Sequence, residues 1–316
     1  YDAQSVRHHF TVRPNYTMFS GQAAYGNEDT GVGFTFDFSE GSSESEPAVF
    51  FNLSYFRSRV FGIEAAQELS IFLDAFDSRI VDPQQLESMG VGPYTSDGFL
   101  RSWNANNQFC FESFSGAKLE RLIWPGDRAL VEAIWRWNLK REERQQRIGD
   151  RMFVPKVRWA AVDNGEPVSC VAWTEGVPTL IPRDLVTHVI LVRQPRPSVK
   201  SMFGAIAGSG PKPEMKMVGL RTVAASHEVV ETEFDGERIV QTPQATGIIS
   251  TPGVWPRTSI RILPPEEIMP AAMELDECEL AAAATGAGGA STLAIWGQSK
   301  ANAPPVSRVR VTRLFI

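Results

Sequence analysis

Short apolar runs that end at turn residues dominate the middle of the chain. Residues 152–193 contain two β-branched and aromatic runs on either side of Asn164-Gly165, a dipeptide typical of hairpin turns. A third apolar run follows a loop rich in glycine and proline, and Asp235-Gly236 predicts a second hairpin. The pattern therefore predicts a chain built around antiparallel sheet.

Alternation of apolar and polar residues also marks residues 1–61. Phe34, Phe36 and Phe38 fall on one face of a predicted strand. The segment from His9 to Arg13 alternates too and predicts a strand, in which neighbouring residues such as His8 and His9 point to opposite faces. Together these runs predict that the N-terminal region is rich in β-structure.

Three segments have the spacing or the flanking residues of helices. Apolar residues recur every three or four positions in residues 63–77, which favours a helix, although residues 70–73 could also form a short buried strand. The clearest helix follows Trp124-Pro125-Gly126, begins at Asp127 and carries Ile134 and Trp137 on one stripe. A further helix is predicted over residues 266–284.

These elements favour a fold that is mainly β with a few helices, in the form of a β-sandwich or jelly roll of antiparallel sheets. The alternative is an α+β fold with a large insertion. A chain of 316 residues can form one large domain or two ordinary ones. We expect a single β-rich domain over residues 1–316, with an irregular excursion over residues 82–126 and a mobile loop over residues 195–215.

Composition and charge narrow the possible functions. The formal net charge of −6 disfavours a dedicated nucleic-acid binder, because such proteins neutralise phosphates with surplus basic residues. Three widely separated cysteines disfavour a disulfide framework. No apolar run is long enough to span a membrane, so we expect no membrane association.

No catalytic, cofactor-binding or metal-binding signature is present. The four histidines show no metal-ligand spacing, and the glycine-rich loop before Lys212 lacks the order of residues that a phosphate-binding loop needs. An enzyme hypothesis has only His227, Asp97 and Glu228 as candidates, and these rest on residue type alone. We therefore predict no catalytic residue, no cofactor and no metal.

The leading hypothesis is a structural subunit of a large assembly, most simply a viral capsid (coat) protein whose partners are copies of itself or other subunits. It would lie in the virion, and otherwise in the cytoplasm. The alternatives are a nucleic-acid-binding subunit of a ribonucleoprotein complex, or an enzyme. Arg308, Arg310 and Arg313 on the last predicted strand offer a weak nucleic-acid contact, although they could equally protect a sheet edge from aggregation.

Overall fold

The computed structural model describes residues 3–38, 49–81, 91–92, 94–114, 124–163, 165–174, 177–193, 214–226, 230–242, 259–270 and 290–297. Contacts divide the chain into two compact units, of which the first combines Tyr1–Arg128 with Pro265–Ile316 and the second is Ala129–Pro264. The second unit is thus inserted into the sequence of the first. The single domain over residues 1–316 stays a prediction, since two compact units can still unfold together.

The first unit contains three helices and nine strands among its described residues. The helices are α1 (Ala3–Thr11), α2 (Arg59–Ala75) and α3 (Ser96–Phe114). The strands are β1 (Tyr16–Phe19), β2 (Gln22–Gly26), β3 (Gly33–Phe38), β4 (Val49–Ser54), β5 (Ser78–Val81), β6 (Val91–Gly92), β7 (Trp124–Gly126), β16 (Ile268–Pro270) and β17 (Ala290–Gly297). A short 3₁₀ turn at Pro265–Glu267 precedes β16. Seven of the strands form one antiparallel sheet in the order β1-β2-β3-β4-β17-β5-β6, and β7 pairs with β16 in parallel.

Aromatic side chains join this sheet to its helices. Phe34, Phe36 and Phe38 of β3 are buried, as the alternation predicts. The Phe36 ring centroid lies 4.8 Å from that of Phe10 on α1 and 5.2 Å from that of Phe72 on α2. Helices α1 and α2 therefore cover the sheet face that carries Phe36, and burial of these rings is a large stabilising contribution.

The second unit contains three helices and eight strands among its described residues. The helices are α4 (Arg128–Leu139), which begins one residue before the unit, α5 (Arg141–Ile148) and α6 (Leu220–Ser226). The strands are β8 (Arg158–Val162), β9 (Val168–Thr174), β10 (Thr179–Pro182), β11 (His188–Arg193), β12 (Glu214–Gly219), β13 (Val230–Phe234), β14 (Glu237–Thr242) and β15 (Ile260–Leu263). They form a five-stranded sheet in the order β12-β11-β9-β8-β15 and a three-stranded sheet in the order β10-β14-β13.

The larger apolar cluster of the second unit includes side chains of α4, which also hydrogen-bonds to the chain that follows. Seventeen buried apolar residues form a single cluster that includes Trp137 and Trp173. Trp137 donates from Nε1 to the Pro155 carbonyl at 2.9 Å. Asn138 donates to the Val157 carbonyl at 2.8 Å and accepts from the Val157 amide at 2.9 Å. These buried bonds place the segment before β8 against α4.

Several predicted elements are confirmed. The hairpins at Asn164-Gly165 and Asp235-Gly236 correspond to the antiparallel pairs β8/β9 and β13/β14. Helices α2 and α4 lie where the apolar spacing places them. The coarse fold class, antiparallel sheet with helices, is confirmed, although β11 pairs with β9 in parallel and the five-stranded sheet is mixed. The parallel pair arises because β10, between them in sequence, belongs to the other sheet.

Three predictions were wrong. Residues 9–13 do not form a strand, because Val6 and Phe10, one helical turn apart, are the buried residues of α1. The excursion over 82–126 is not irregular throughout, since Ser96–Phe114 is helical. The helix over 266–284 is wrong at its start, where a 3₁₀ turn leads into β16. Residues 271–289, and residues 195–213 of the predicted mobile loop, lie outside the described residues, and Glu214 and Met215 belong to β12.

Candidate self-association edges

Each larger sheet ends, among the described strands, in a strand with one paired neighbour. These outermost strands are β1 and β6 in the seven-stranded sheet, β10 and β13 in the three-stranded sheet, and β12 and β15 in the five-stranded sheet. An outermost strand has a row of backbone N–H and C=O groups on its outer side, and a further strand can pair with them. These are the positions at which another chain could extend a sheet.

Exposed apolar side chains collect at these positions. Six large apolar residues are exposed among the described residues. Four of them lie on or beside outermost strands and are termed the edge residues here: Phe19 (53% exposed), Phe153 (44%), Met215 (45%) and Ile262 (41%). The other two, Val12 and Ile71, follow or lie on helices. Exposed apolar surface is thus concentrated where strand addition would cover it.

Phe153 is one of the edge residues because it forms a single β-bridge with Thr179 on the outer side of β10. Its amide donates to the Pro178 carbonyl at 2.8 Å, and its carbonyl accepts from the Leu180 amide at 2.9 Å. Its backbone therefore already pairs with part of the outer side of β10, so Phe153 is the outermost residue of the three-stranded sheet there, and its side chain is exposed.

Met215 and Ile262 lie on the same face of the five-stranded sheet, at its two opposite edges. Met215 is opposite Val192, and Ile262 is opposite Ala160. Ala160 and Val192 belong to one small apolar cluster on this face, whose centre is Cys170. Burial raises the pKa of the Cys170 thiol to about 12, which makes it an apolar side chain rather than a nucleophile. An apolar strip therefore runs across the sheet and ends in an exposed residue at each edge.

The opposite face of the same two edges carries charge. Glu214 on β12 accepts a hydrogen bond from Arg193 Nε on β11 at 3.1 Å. Lys216 points to the same face as Glu214, because strand residues two apart share a face. Arg261 on β15 is exposed on this face as well. Both edges are thus apolar on one face, and on the other face they carry Glu214, Lys216 and Arg261 beside the apolar Val218 and Leu263.

The edge strand β13 differs from the other edges. Its outward residues Glu231 and Glu233 are exposed, and Glu231 is already paired with Arg183. Charged side chains on an edge oppose pairing with another strand, and β13, unlike β12 and β15, carries among its described side chains no exposed large apolar residue that pairing would cover. We therefore do not count β13 among the candidate edges.

A buried carboxylate on α2 is the strongest competing candidate for a functional group. Glu64 Oε1 accepts from Tyr25 Oη at 2.7 Å, from Asn27 Nδ2 at 2.8 Å and from Thr30 Oγ1 at 3.2 Å. Burial, and then the Glu64 charge, raise the pKa of the Tyr25 hydroxyl. Glu64 is itself fully buried, so its contacts join α2 to β2 and the loop that follows rather than offering a reactive group to solvent.

Of the three residues named for an enzyme, only Asp97 lies among the described residues. Asp97 lies exposed in the first turn of α3. His227 and Glu228 lie outside the described residues, as do Arg308, Arg310 and Arg313. Within the described part of the chain, no group of three or more histidine, cysteine, aspartate or glutamate side chains could hold a metal ion. None of the described helices is long and apolar enough to cross a membrane.

Comparison with protein-family models, with curated proteins and with solved structures finds no match for this chain. The edge residues themselves have no distinctive sequence pattern. Met215 and Ile262 lie in ordinary strand-like runs, and only the order of strands in the sheet makes them edge residues.

Proposed function

We propose that this protein is a structural subunit that associates with copies of itself through the edges of its sheets. The observation that supports this best is the position of the edge residues, which make up four of the six exposed large apolar side chains among the described residues. Strand addition satisfies unpaired backbone groups and covers such side chains in one contact.

The assembly we propose is a viral coat, with the protein located in the virion; a cytoplasmic assembly is the alternative location. A closed shell needs more than one contact surface on each subunit, and candidate edges occur on three sheets of this chain. The net charge of −6 suits a shell that makes few direct contacts with a genome. A sandwich or jelly-roll framework stays part of the proposal, but edge pairing does not require it.

The test compares the size of the protein in solution with that of two sets of lysine variants. In the edge set, Phe19, Phe153, Met215 and Ile262 are each changed to lysine. In the matched helix set, Val12 and Ile71 are changed to lysine, which makes the same chemical change at exposed positions on or beside helices. Circular dichroism checks that every variant is folded.

We expect sedimentation velocity to show concentration-dependent association of the natural protein and of the helix set, and a monomer for the edge set. Electron microscopy of the associated fraction distinguishes shells from filaments and from irregular clusters. A natural protein that stays monomeric at every concentration measured would overturn the proposal.

A further inference from the structure

We infer that β12 of one copy pairs antiparallel with β15 of the next copy, so that the five-stranded sheets of successive copies form one continuous sheet. This inference rests on the proposed function but is narrower, because self-association could use other edges. The partner is therefore a second copy of this chain, and its contact surface is the β15 edge.

Strand directions within the sheet allow this pairing. β11 runs parallel to β9, and β12 runs antiparallel to β11. β8 runs antiparallel to β9, and β15 runs antiparallel to β8. It follows that β12 and β15 run in opposite directions, so a sheet that continues from one copy to the next brings them together as an antiparallel pair.

The two faces of the sheet limit the register. Apolar Met215 and Met217 share one face of β12, while Ile260 and Ile262 share the same face of β15. A register that keeps these faces together and covers both exposed residues places Met215 opposite Ile262, and Met217 opposite Ile260, of the next copy. Shifting by two residues places Met217 opposite Ile262 and leaves Met215 beyond the end of β15.

A head-to-tail contact between β12 and β15 covers more apolar surface than a symmetric contact that pairs one edge with the same edge of a second copy. A two-fold contact between two β12 strands leaves Ile262 exposed, and one between two β15 strands leaves Met215 exposed. The head-to-tail contact covers both residues with a single type of interface. Because this contact joins two different edges, each copy keeps one edge for a further copy. The copies then form a ring if the rotation between them closes, and an open filament if it does not.

Charged residues on the other face of the sheet make the strength of this contact depend on the salt concentration. The inferred register places Lys216 opposite Arg261 of the next copy, and Glu214 diagonal to that same arginine. Glu214 already accepts from Arg193, so it lies among basic groups that its charge partly balances. The like-charged pair weakens association at low salt, which predicts that association strengthens as salt screens the repulsion.

Disulfide trapping tests the register. Met215→Cys and Ile262→Cys in one chain should give a ladder of covalent multimers under mild oxidation, because strand neighbours bring their Cβ atoms within disulfide range. The matched control combines Met215→Cys with Ile71→Cys, whose second position is exposed on α2. The described native cysteines, Cys110 and Cys170, are buried and do not compete.

A charge change gives a second, independent measurement. Lys216→Glu turns the like-charged pair into an opposite-charged pair, and we expect association at about threefold lower protein concentration. Glu214→Lys should shift it in the opposite direction. Sedimentation velocity at low and high salt measures both shifts.

The outcomes separate this inference from the proposed function. A ladder with the 215/262 pair and a gain with Lys216→Glu support it. Association of the natural protein without such a ladder, or with 215–215 dimers as the main product, overturns the β12–β15 contact and leaves the proposed function standing. A protein that never associates overturns both.

Discussion

At the scale of the residue, the surroundings of His9 differ from those predicted, because it lies in a helix and not in a strand. Strand alternation predicts that His8 and His9 point to opposite faces, whereas both lie on α1. His8 is exposed, while the His9 ring centroid lies between 5.1 and 5.5 Å from those of Phe10, Phe72 and Phe76. The sequence pattern could not distinguish a strand from a helix here, since a run of five residues fits both the strand period and the helix period.

This environment predicts a pH dependence of stability. Burial, followed by the charge of Arg13, lowers the pKa of His9 below 6.5, and Glu68 only partly opposes this shift. The unfolded chain therefore binds the proton first, so the contribution of neutral His9 to stability is complete above pH 6.5 and is lost as the pH falls below it. We expect denaturant midpoints to fall between pH 7 and pH 5, and His9→Gln to reduce that fall.

His8→Gln is the control for this measurement, because it makes the same change at the exposed neighbour. It should keep the pH dependence of the natural protein. A pH dependence that His9→Gln leaves unchanged would contradict the assignment.

At the scale of elements, an arginine fixes the β13–β14 hairpin to α5. The buried side chain of Arg144 donates to Asp235 Oδ2 at 2.9 Å and to the Trp137 carbonyl at 2.8 Å, and its guanidinium lies 4.4 Å from the Trp137 ring centroid. Arg147 reaches the same carboxylate at 3.1 Å but is half exposed. The turn at Asp235-Gly236 is thus held by one buried cation and one exposed cation.

Arg144→Met should destabilise the protein by about 2 to 3 kcal/mol, because a buried carbonyl loses its donor and Asp235 loses its less exposed partner. Arg147→Met is the matched control, and its cost should stay below about 1 kcal/mol because exposed ion pairs contribute little. Urea denaturation measures both values. Equal losses for the two variants would show that Arg144 has no special role.

Elements with a regular apolar period were predictable, and α3 was not. Residues 102–107 are all buried, and they include Ser102, Asn104, Asn106 and Asn107. Asn107 explains part of this, since its Oδ1 accepts from the Phe56 amide at 2.7 Å and its Nδ2 donates to the Arg57 carbonyl at 2.7 Å. A helix that buries polar side chains on long-range backbone partners has no apolar stripe, so periodicity cannot reveal it.

The close approach of α2 and α3 is a second feature of this region that the sequence pattern does not reveal. A Cβ atom at Gly62 would lie 2.7 Å from Trp103 Cε3, so this glycine makes room for the tryptophan. In the sequence, Gly62 lies just before the predicted helix over residues 63–77, and the ring that needs the space is forty-one positions away. The candidate edges were hidden for a related reason, since strand order depends on pairings between distant segments.

At the scale of the molecule, the inserted unit has what an independent domain needs. All seventeen residues of its buried apolar cluster come from residues 134–240, within Ala129–Pro264. Its two sheets are also formed entirely by its own strands, β8 to β15. The sequence predicts one β-rich domain over residues 1–316 because no composition change marks either end of the insertion.

We therefore expect a fragment of residues 127–264, which keeps all of α4, to fold without the rest of the chain. Its tryptophans Trp137 and Trp173 are buried in its own core, so near-ultraviolet circular dichroism should show a rigid aromatic signal that urea removes in one cooperative step. The Arg144→Met change within the fragment is the control, and should lower its stability by the same amount as in the whole protein, because every contact of that arginine described above lies within the fragment. A fragment that shows secondary structure but no cooperative loss of the aromatic signal would mean that the insertion depends on the first unit, and would favour the single domain that the sequence predicts.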